Sequence, residues 1–550
     1  MNLRVFRRSV ARRGFLFVPA LWFCVAAAAA QNPRTILFVD DADVLYRPGT
    51  IKRIGAFAKA PGNPVLRPTK PWESTIGWMS VGRSPATGRF QMWYQARAPS
   101  RKDEDKRFKH VVCYAESEDG LHWDKPDLGL FPFYGERATN IVMIGNGGLG
   151  DRYCCSVLIE PGERDPALRY KMAYYDWAAG ERERDGAGTH FAFSSDGIRW
   201  TKEGGLVIKT AYGAKGPPAP FRDEGDYFEE KLKDGSVRKT WRSPMTMSDA
   251  ADLIFDPRRE TYVLYGKMWI PGPDGGLSWK HAMGRTESRD LRQWSKPELV
   301  LTTNDRDPPM LEFHTSPVFC YNGQYFSLNQ IMDRAAGSID LELMSSRDGL
   351  RWERDFANLP VFPRGEGRVF DAGSVKSNCT PIVLPEEIRF YYSARRGSST
   401  GGVGFDQQVI GSDDIFSGVG LASIRRDRFV SVEPDLRSRV SNANPTPGAA
   451  AGPVVTNHLG QVTLRPLDLR GVTAITVNAD AAAGAVRVEI LDEDGYRVRG
   501  FTRDEAVPLR GDGLALAAAW RERRLSDLPP GRYLLRLHLD RARLFACTLR

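Results

Sequence analysis

The chain has 550 residues, 77 Lys and Arg against 68 Asp and Glu, a formal net charge of +9, and 42% apolar residues. It reads as a soluble globular chain too long for one ordinary core, so two or three domains are expected. The basic excess is scattered in short Arg doublets, with no clustered stripe of basic and aromatic residues outside the N-terminal segment, which argues against a nucleic-acid partner.

Residues 1–30 read as an export signal. Arg4, Arg7, Arg8, Arg12 and Arg13 precede an apolar run from Phe15 to Ala30, and Ala28 and Ala30 suit cleavage before Gln31. Arg12-Arg13-Gly-Phe-Leu16 is similar to a twin-arginine signal, with ordinary secretory export and an uncleaved anchor as the alternatives. A periplasmic or extracellular protein, with no stable membrane association after cleavage, is expected. Six cysteines remain beyond Cys24, in no zinc-binding spacing.

From residue 31 to 439 the chain repeats itself. A signature Ser-x-Asp-x-x-x-Trp recurs at Ser117-Asp119-Trp123, Ser194-Asp196-Trp200, Ser288-Asp290-Trp294 and Ser346-Asp348-Trp352. Three of the four copies carry Gly after the Asp, a tight-turn signal. Each copy closes a set of alternating apolar runs, in which the second strands are Phe90–Tyr94, Tyr170–Tyr175, Tyr262–Tyr265, Tyr325–Leu328 and Ile388–Tyr392. The fifth set lacks the Trp and offers Phe429 in its place. The reading is a five-bladed β-propeller with the signature as an outer staple between blades. Three loops break the regularity, at residues 211–249, 271–276 and 397–404, and are candidate rims of a binding site. Residues 440–453 form a Pro- and Gly-rich linker, and residues 454–550 read as a β-sandwich.

In a propeller the innermost strand of each blade begins at the central channel, and an acid stands at each such start: Glu73, Asp151, Asp252, Glu312 and Asp371. Five crowded carboxylates cannot all ionise freely, so at least one should keep a proton near neutral pH while another, beside Arg368 or His314, stays ionised. That pair is what glycosidic cleavage requires. Trp72, Trp78 and Trp269 lie near these acids, and their faces could stack a sugar ring. The expected roles are Glu312 as acid, Glu73 or Asp151 as base or nucleophile, and Asp252 as a tuning group. No cofactor is required by this chemistry. The acid ring leaves room for a structural calcium as a further option.

With those positions in hand, the chain resembles the five-bladed β-propeller glycoside hydrolases of the invertase-like and arabinanase/xylosidase-like groups. The resemblance is carried by Phe38-Val-Asp-Asp41, Asn63-Pro-Val-Leu66, Lys70-Pro-Trp-Glu73, the four signatures, and Gly420 to Ser431. In the last domain Val486 to Gly495, with Gly500-Phe501, carries it further. It implies a glycosidase acting on an oligosaccharide or polysaccharide. The invertase-like nucleophile motif is not matched, and the corresponding region offers Glu73 or Asp40-Asp41. Arg164-Asp165-Pro166 matches the group's Arg-Asp-Pro only as a turn, and its Glu-Cys acid motif is absent. A non-catalytic carbohydrate-binding or scaffolding propeller is the rival reading, and a phosphorylase or lyase on the same fold a third.

Overall fold

The computed structural model describes residues 33–147, 155–176, 188–203, 208–209, 227–231, 235–241, 247–270, 272–273, 279–398, 411–437 and 457–550. The expected leader, the linker 440–453, Asp151 and most of the loops at 211–249 and 397–404 lie outside the described residues. The fold is all-β. Between Ala58 and Arg425 the chain forms successive antiparallel units. The first consists of Thr75–Arg83, Phe90–Arg97, His110–Ser117 and Ile141–Met143. The second consists of Ser156–Ile159, Tyr170–Asp176 and Gly188–Ser194, with Thr201–Lys202 and Ile208–Lys209 at its edge. Met247–Asp256, Thr261–Ile270, Lys280–Ser288 and Glu298–Leu301 make the third.

The fourth unit opens with a broken strand, Leu311–Thr315 and Val318–Tyr321, followed by Gln324–Asp333, Ser338–Ser346 and Trp352–Glu353. The fifth contains Ser374–Lys376, Ile382–Val383, Glu387–Arg395 and Ser417–Arg425. Its outermost strand is Ala58–Lys59, supplied from far upstream. The expected second strands fall inside the observed ones. These middle strands are buried on both faces, as in Phe90–Arg97, because neighbouring units pack on either side. The first strand of each unit touches the next unit round: Thr75–Arg83 meets Ser156–Ile159 on one side and Glu387–Arg395 on the other, which closes a cycle.

The signature turns join the units. In each copy the Ser hydroxyl donates to the Asp carboxylate, which accepts the backbone N–H groups of the two residues before the Trp. This holds the next residue in the left-handed region: Gly120, Gly197 and Gly349 at φ 73°, 78° and 72°, and Leu291 at 63°. Its carbonyl then faces the preceding unit. Tyr391 donates to Gly120 at 2.7 Å, Trp93 to Gly197 at 2.6 Å, and Tyr265 to Gly349 at 2.8 Å. The signature tryptophans meet these same rings edge-on, Trp123 on Tyr391, Trp200 on Trp93 and Trp352 on Tyr265, while Trp294 stacks on Phe191. In the fifth unit Phe429 stacks on Phe326 at 4.6 Å, and Asp427, at φ 66°, accepts from Tyr321.

The C-terminal strands form a second, ten-stranded sheet. Its longest strand, Ile475–Asp492, pairs with Arg543–Leu549 along its first half and with Arg532–Asp540 along its second, so the sheet curls over a single core that includes Val462, Val477, Val488, Leu537 and Leu544. The continuous hydrogen bonding follows from that change of partner within one 18-residue strand. Arg34–Leu37, Val44–Tyr46 and Thr50–Ile54 also belong to it, as does Val430–Pro434. Both ends of the ring are thereby tied to the same sheet. Asp40, one of the expected stand-ins for a nucleophile, is buried here and takes two 2.7 Å hydrogen bonds from Arg347 on the fourth signature turn, which hold its carboxyl below the usual range despite burial. It joins the sheet to the ring and is not part of a reactive site.

Gly197→Ala should destabilise the protein by about 2–4 kcal/mol, because Gly197 needs positive φ and a Cβ there would lie 2.6 Å from the Trp93 ring. Gly162→Ala, where a Cβ meets nothing within 4 Å, should be neutral within about 0.5 kcal/mol in the same denaturant titration. Equal midpoints for the two variants would contradict the role given to the turn.

Candidate functional site

First strands begin, second strands end and third strands begin at one end of the ring, because neighbouring strands run antiparallel. The candidate site lies at that end, where the third and fourth units face the first. Its centre is Trp78. The ladder between Thr75–Arg83 and Phe90–Arg97 shifts register there, Gly77 opposing Gln95 and Met79 opposing Tyr94, so Trp78 is the extra residue of a bulge, at φ 40°. A bulky residue at positive φ is a strained placement that the surrounding structure must hold. Here the bulge turns the half-buried indole onto His314, with ring centroids 5.6 Å apart, and the Lys376 ammonium sits 4.7 Å from its ring.

A second layer supports this pair. His314 Nδ1 lies 3.1 Å from the Gln330 side-chain oxygen Oε1, and its ring is 6.4 Å from that of His281. His281 packs on Trp269 at 3.7 Å and donates from Nδ1 to Glu312 at 2.6 Å, while its backbone N–H reaches the other oxygen at 3.0 Å. Arg334 stands 3.6 Å from that same oxygen. Burial alone would raise the Glu312 carboxyl, but the His281 hydrogen bond and charge and the Arg334 guanidinium outweigh it and hold the carboxyl below its ordinary value. His281 and His314 are pushed down, by burial first and then by Lys267, with Lys376 adding to the effect on His314. Both imidazoles are neutral at pH 7. Asp249, on the bulged start of Met247–Asp256, is ion-paired with Lys267 and faces the same two rings.

Asp252 lies deeper, along the inner strands. The Cys155 thiol donates to the Trp78 carbonyl at 3.0 Å and also feels the Asp252 charge. The Cys379 sulfur is 3.4 Å from Ser156 Oγ and 3.6 Å from the Leu253 carbonyl it donates to. Asp252 is half-buried. Loss of water pushes its carboxyl up to about 7, an effect that neighbouring Cys379 opposes but does not offset.

The structure thus brings together Trp78, Trp269, His314 and Glu312, sets Asp252 behind them next to Cys155 and Cys379, and disperses the others. Glu73 is fully buried and saturated, accepting from the Thr69 and Lys70 N–H groups, from Tyr94 at 2.6 Å and from Lys125 at 2.7 Å. It ties the entry of the first strand to its own unit. Asp371 is bound by Lys59 at 2.7 Å and Tyr392 at 3.1 Å, on the strand that completes the fifth unit's outer edge. Trp72 is a core residue whose indole N–H donates to Asn140. Arg368 is exposed and pairs with Asp414. The expected ring of five acids does not form: at Glu73 and Asp371 a lysine and a hydroxyl fix each carboxylate inside its own unit. Glu312 as proton donor is likewise corrected, since His281 and Arg334 keep it ionised, and the protonated carboxyl is Asp252. Asp151 lies outside the described residues.

Sequence reading missed Asp249, Lys267, His281, Gln330, Arg334 and Lys376. The available signal was the antiparallel geometry itself. The ends of second strands, at Lys267 and Gln330, and the start of a third, at His281, share the sheet end where first strands begin. Among the described residues no three His, Cys, Asp or Glu side chains are grouped to hold a metal ion. A surface groove of about 560 Å³, lined by Arg259, Glu287, Arg289 and Asp290, sits beside the third signature turn, at the opposite end of the strands.

The buried His–Glu pair gives stability a definite pH dependence. The folded-state pKa values of His281 and His314 lie below the ordinary 6.5, so the unfolded chain takes up protons first and stability falls as pH drops below about 6.5. Glu312, also depressed, adds a loss as pH falls below its ordinary 4.5. Melting temperatures from pH 8 to 4 should fall on the acid side, and less steeply below pH 5 in Glu312→Gln. Identical slopes would remove the pairing from the account.

No family model matches the chain, and no curated protein does. Solved structures do. An N-acetylgalactosamine deacetylase from F. plautii, in complex with blood group B trisaccharide, is 16% identical, with a TM-score of 0.43, over 68% of this chain and 97% of its own. A structure from the GH130 family of mannoside phosphorylases, which contains glycoside hydrolases that target β-1,2 mannosidic linkages in Candida mannan, is 15% identical, with a TM-score of 0.40, over 67% and 94%. A glycosyl hydrolase from Bacteroides ovatus is 16% identical, with a TM-score of 0.39, over 73% and 97%. These are proteins to which roughly two thirds to three quarters of this chain is similar.

Proposed function

We propose that the protein is an exported glycoside hydrolase, a five-bladed propeller whose antiparallel units are the blades, joined to the curled ten-stranded sheet that the C-terminal strands build with strands from both ends of the propeller. The observation that carries the reading is a carboxyl, Asp252, that burial pushes up to about 7 and that lies behind the strained residue Trp78, next to the Cys155 thiol that donates to the Trp78 carbonyl. Asp252 is assigned as the proton donor to the glycosidic oxygen. As that bond breaks, positive charge develops on the anomeric carbon, and the carboxylate of Asp249 takes a proton from the water whose oxygen bonds to that carbon in place of the leaving group. Both oxygens of Glu312 are occupied by His281 and Arg334. Its role is positioning: it fixes the His281 tautomer, and His281 sets the wall against which His314 and Trp78 are packed. Trp78 and Trp269 offer ring faces to the sugar. The leader would deliver the enzyme to the periplasm or the exterior, where such substrates are met.

Asp252→Asn should lower kcat/KM on 4-nitrophenyl glycosides by roughly 10²–10⁴. In the wild type, kcat/KM should fall as pH rises through about 7, the value of Asp252, and that limb should vanish in the variant. A loss under tenfold, or an unchanged alkaline limb, would end the assignment. Inorganic phosphate should leave the rate unchanged. Acceleration by phosphate would reassign the reaction to phosphorolysis, and glycan binding with no released sugar would favour a binding propeller.

A further inference from the structure

Among the described tryptophan side chains Trp279 alone is exposed, at 46%. A large ring left in water at a fixed place calls for an occupant. Its backbone is fixed: the Trp279 backbone N–H donates to the Ile270 carbonyl at 3.0 Å, and the Trp279 carbonyl accepts from Arg334 Nη1 at 2.8 Å. The same guanidinium stands 3.6 Å from Glu312 and 6.0 Å from the Trp269 ring. Met310, 50% exposed, is held from the other side, its carbonyl accepting the Arg334 N–H at 3.1 Å. Arg334 therefore ties the backbone under two exposed apolar side chains of the rim to the site's carboxylate. Trp78 and the half-buried Trp269 lie within the site, and Trp279 and Met310 continue it outward over the third and fourth units.

We propose that Trp279 is an outer sugar-binding platform, and that the substrate is an oligosaccharide or polysaccharide whose chain runs from the pit across Arg334 onto this indole. The inference rests on the glycosidase reading. An indole face receives the apolar C–H face of a pyranose or furanose, the neighbouring Lys280 ammonium, 4.9 Å from the ring, and Arg334 offer donors to its hydroxyls, and Met310 closes the flank. A single sugar on a small aglycone would not reach it.

The test compares full-length wild type, Trp279→Ala and Trp279→Phe on the 4-nitrophenyl monoglycoside that the enzyme cleaves and on oligosaccharides of the same sugar of increasing length. Wild-type kcat/KM should rise with length by about tenfold, Trp279→Ala should lose that rise while keeping monoglycoside turnover within about twofold, and Trp279→Phe should retain most of it. Loss of activity on both substrates alike, or on neither, overturns the platform while leaving the glycosidase reading intact. If wild type cleaves no glycoside, that earlier reading fails, and affinity electrophoresis in gels containing arabinan, xylan, inulin or mannan decides the platform. Retardation of wild type that Trp279→Ala loses supports it. Equal migration of the two proteins in every gel overturns it.

Discussion

The structure depends on one contact repeated around the ring: a backbone carbonyl held in a left-handed turn, facing an aromatic ring of the preceding unit. Each turn reaches back by one, the first gripping Tyr391 of the fifth unit, the second Trp93 of the first, and the fourth Tyr265 of the third. Where glycine is replaced by Leu291 the grip becomes the Trp294–Phe191 stack, and in the fifth unit it becomes Phe429 on Phe326. An aromatic pair contributes about 0.5–1.5 kcal/mol beyond its buried area, so no single contact closes the ring. The cycle does, because each contact constrains the two units on either side. It sets the far ends of the strands as well, and there the site is assembled.

The electrostatics of that end follow a simple division. Glu312 accepts from the neutral His281 imidazole and faces Arg334, which hold its carboxyl below its ordinary value, and Asp249 is ion-paired with Lys267. Among the described residues Asp252 has no cation beside it, and burial pushes its carboxyl up to about 7. Acids held apart in this way by what surrounds each one are what acid–base chemistry needs. The strain at Trp78 belongs with it, since the bulge that costs backbone energy is what lays the indole on His314.

How much of this was legible in the sequence can be judged residue by residue. The turns were legible because their chemistry is local: Ser, Asp, the left-handed residue and Trp lie within seven positions and satisfy one another. The middle strands were legible by their apolar runs, and Phe429 as the substitute for a missing indole. Partner choice was not. Nothing in Arg34–Leu37 announces a strand partner some 510 residues away at Arg543–Leu549, nor in Ala58–Lys59 that it completes the fifth unit. The candidate acids were placed by the start of each first strand alone, which cannot tell a carboxylate aimed at the axis from one folded back on its own unit. Glu73 and Asp371 are of the second kind, with Lys125 and Lys59 arriving from distant segments. Trp78 and His314 were found as aromatic rings following such an acid along a first strand, whereas His281 starts a third strand, and Lys376, five residues after Asp371, offers no aromatic face.

The account turns on the protonation of Asp252. Carboxyl carbon NMR of ¹³C-aspartate-labelled protein, with the signal assigned by its absence in Asp252→Asn, measures that state without reference to any substrate. A midpoint near 7 is the expected result. A midpoint at or below the ordinary aspartate value of about 3.9 would mean that the pit holds only ionised acids, and the proton donor on which the reading rests would not exist.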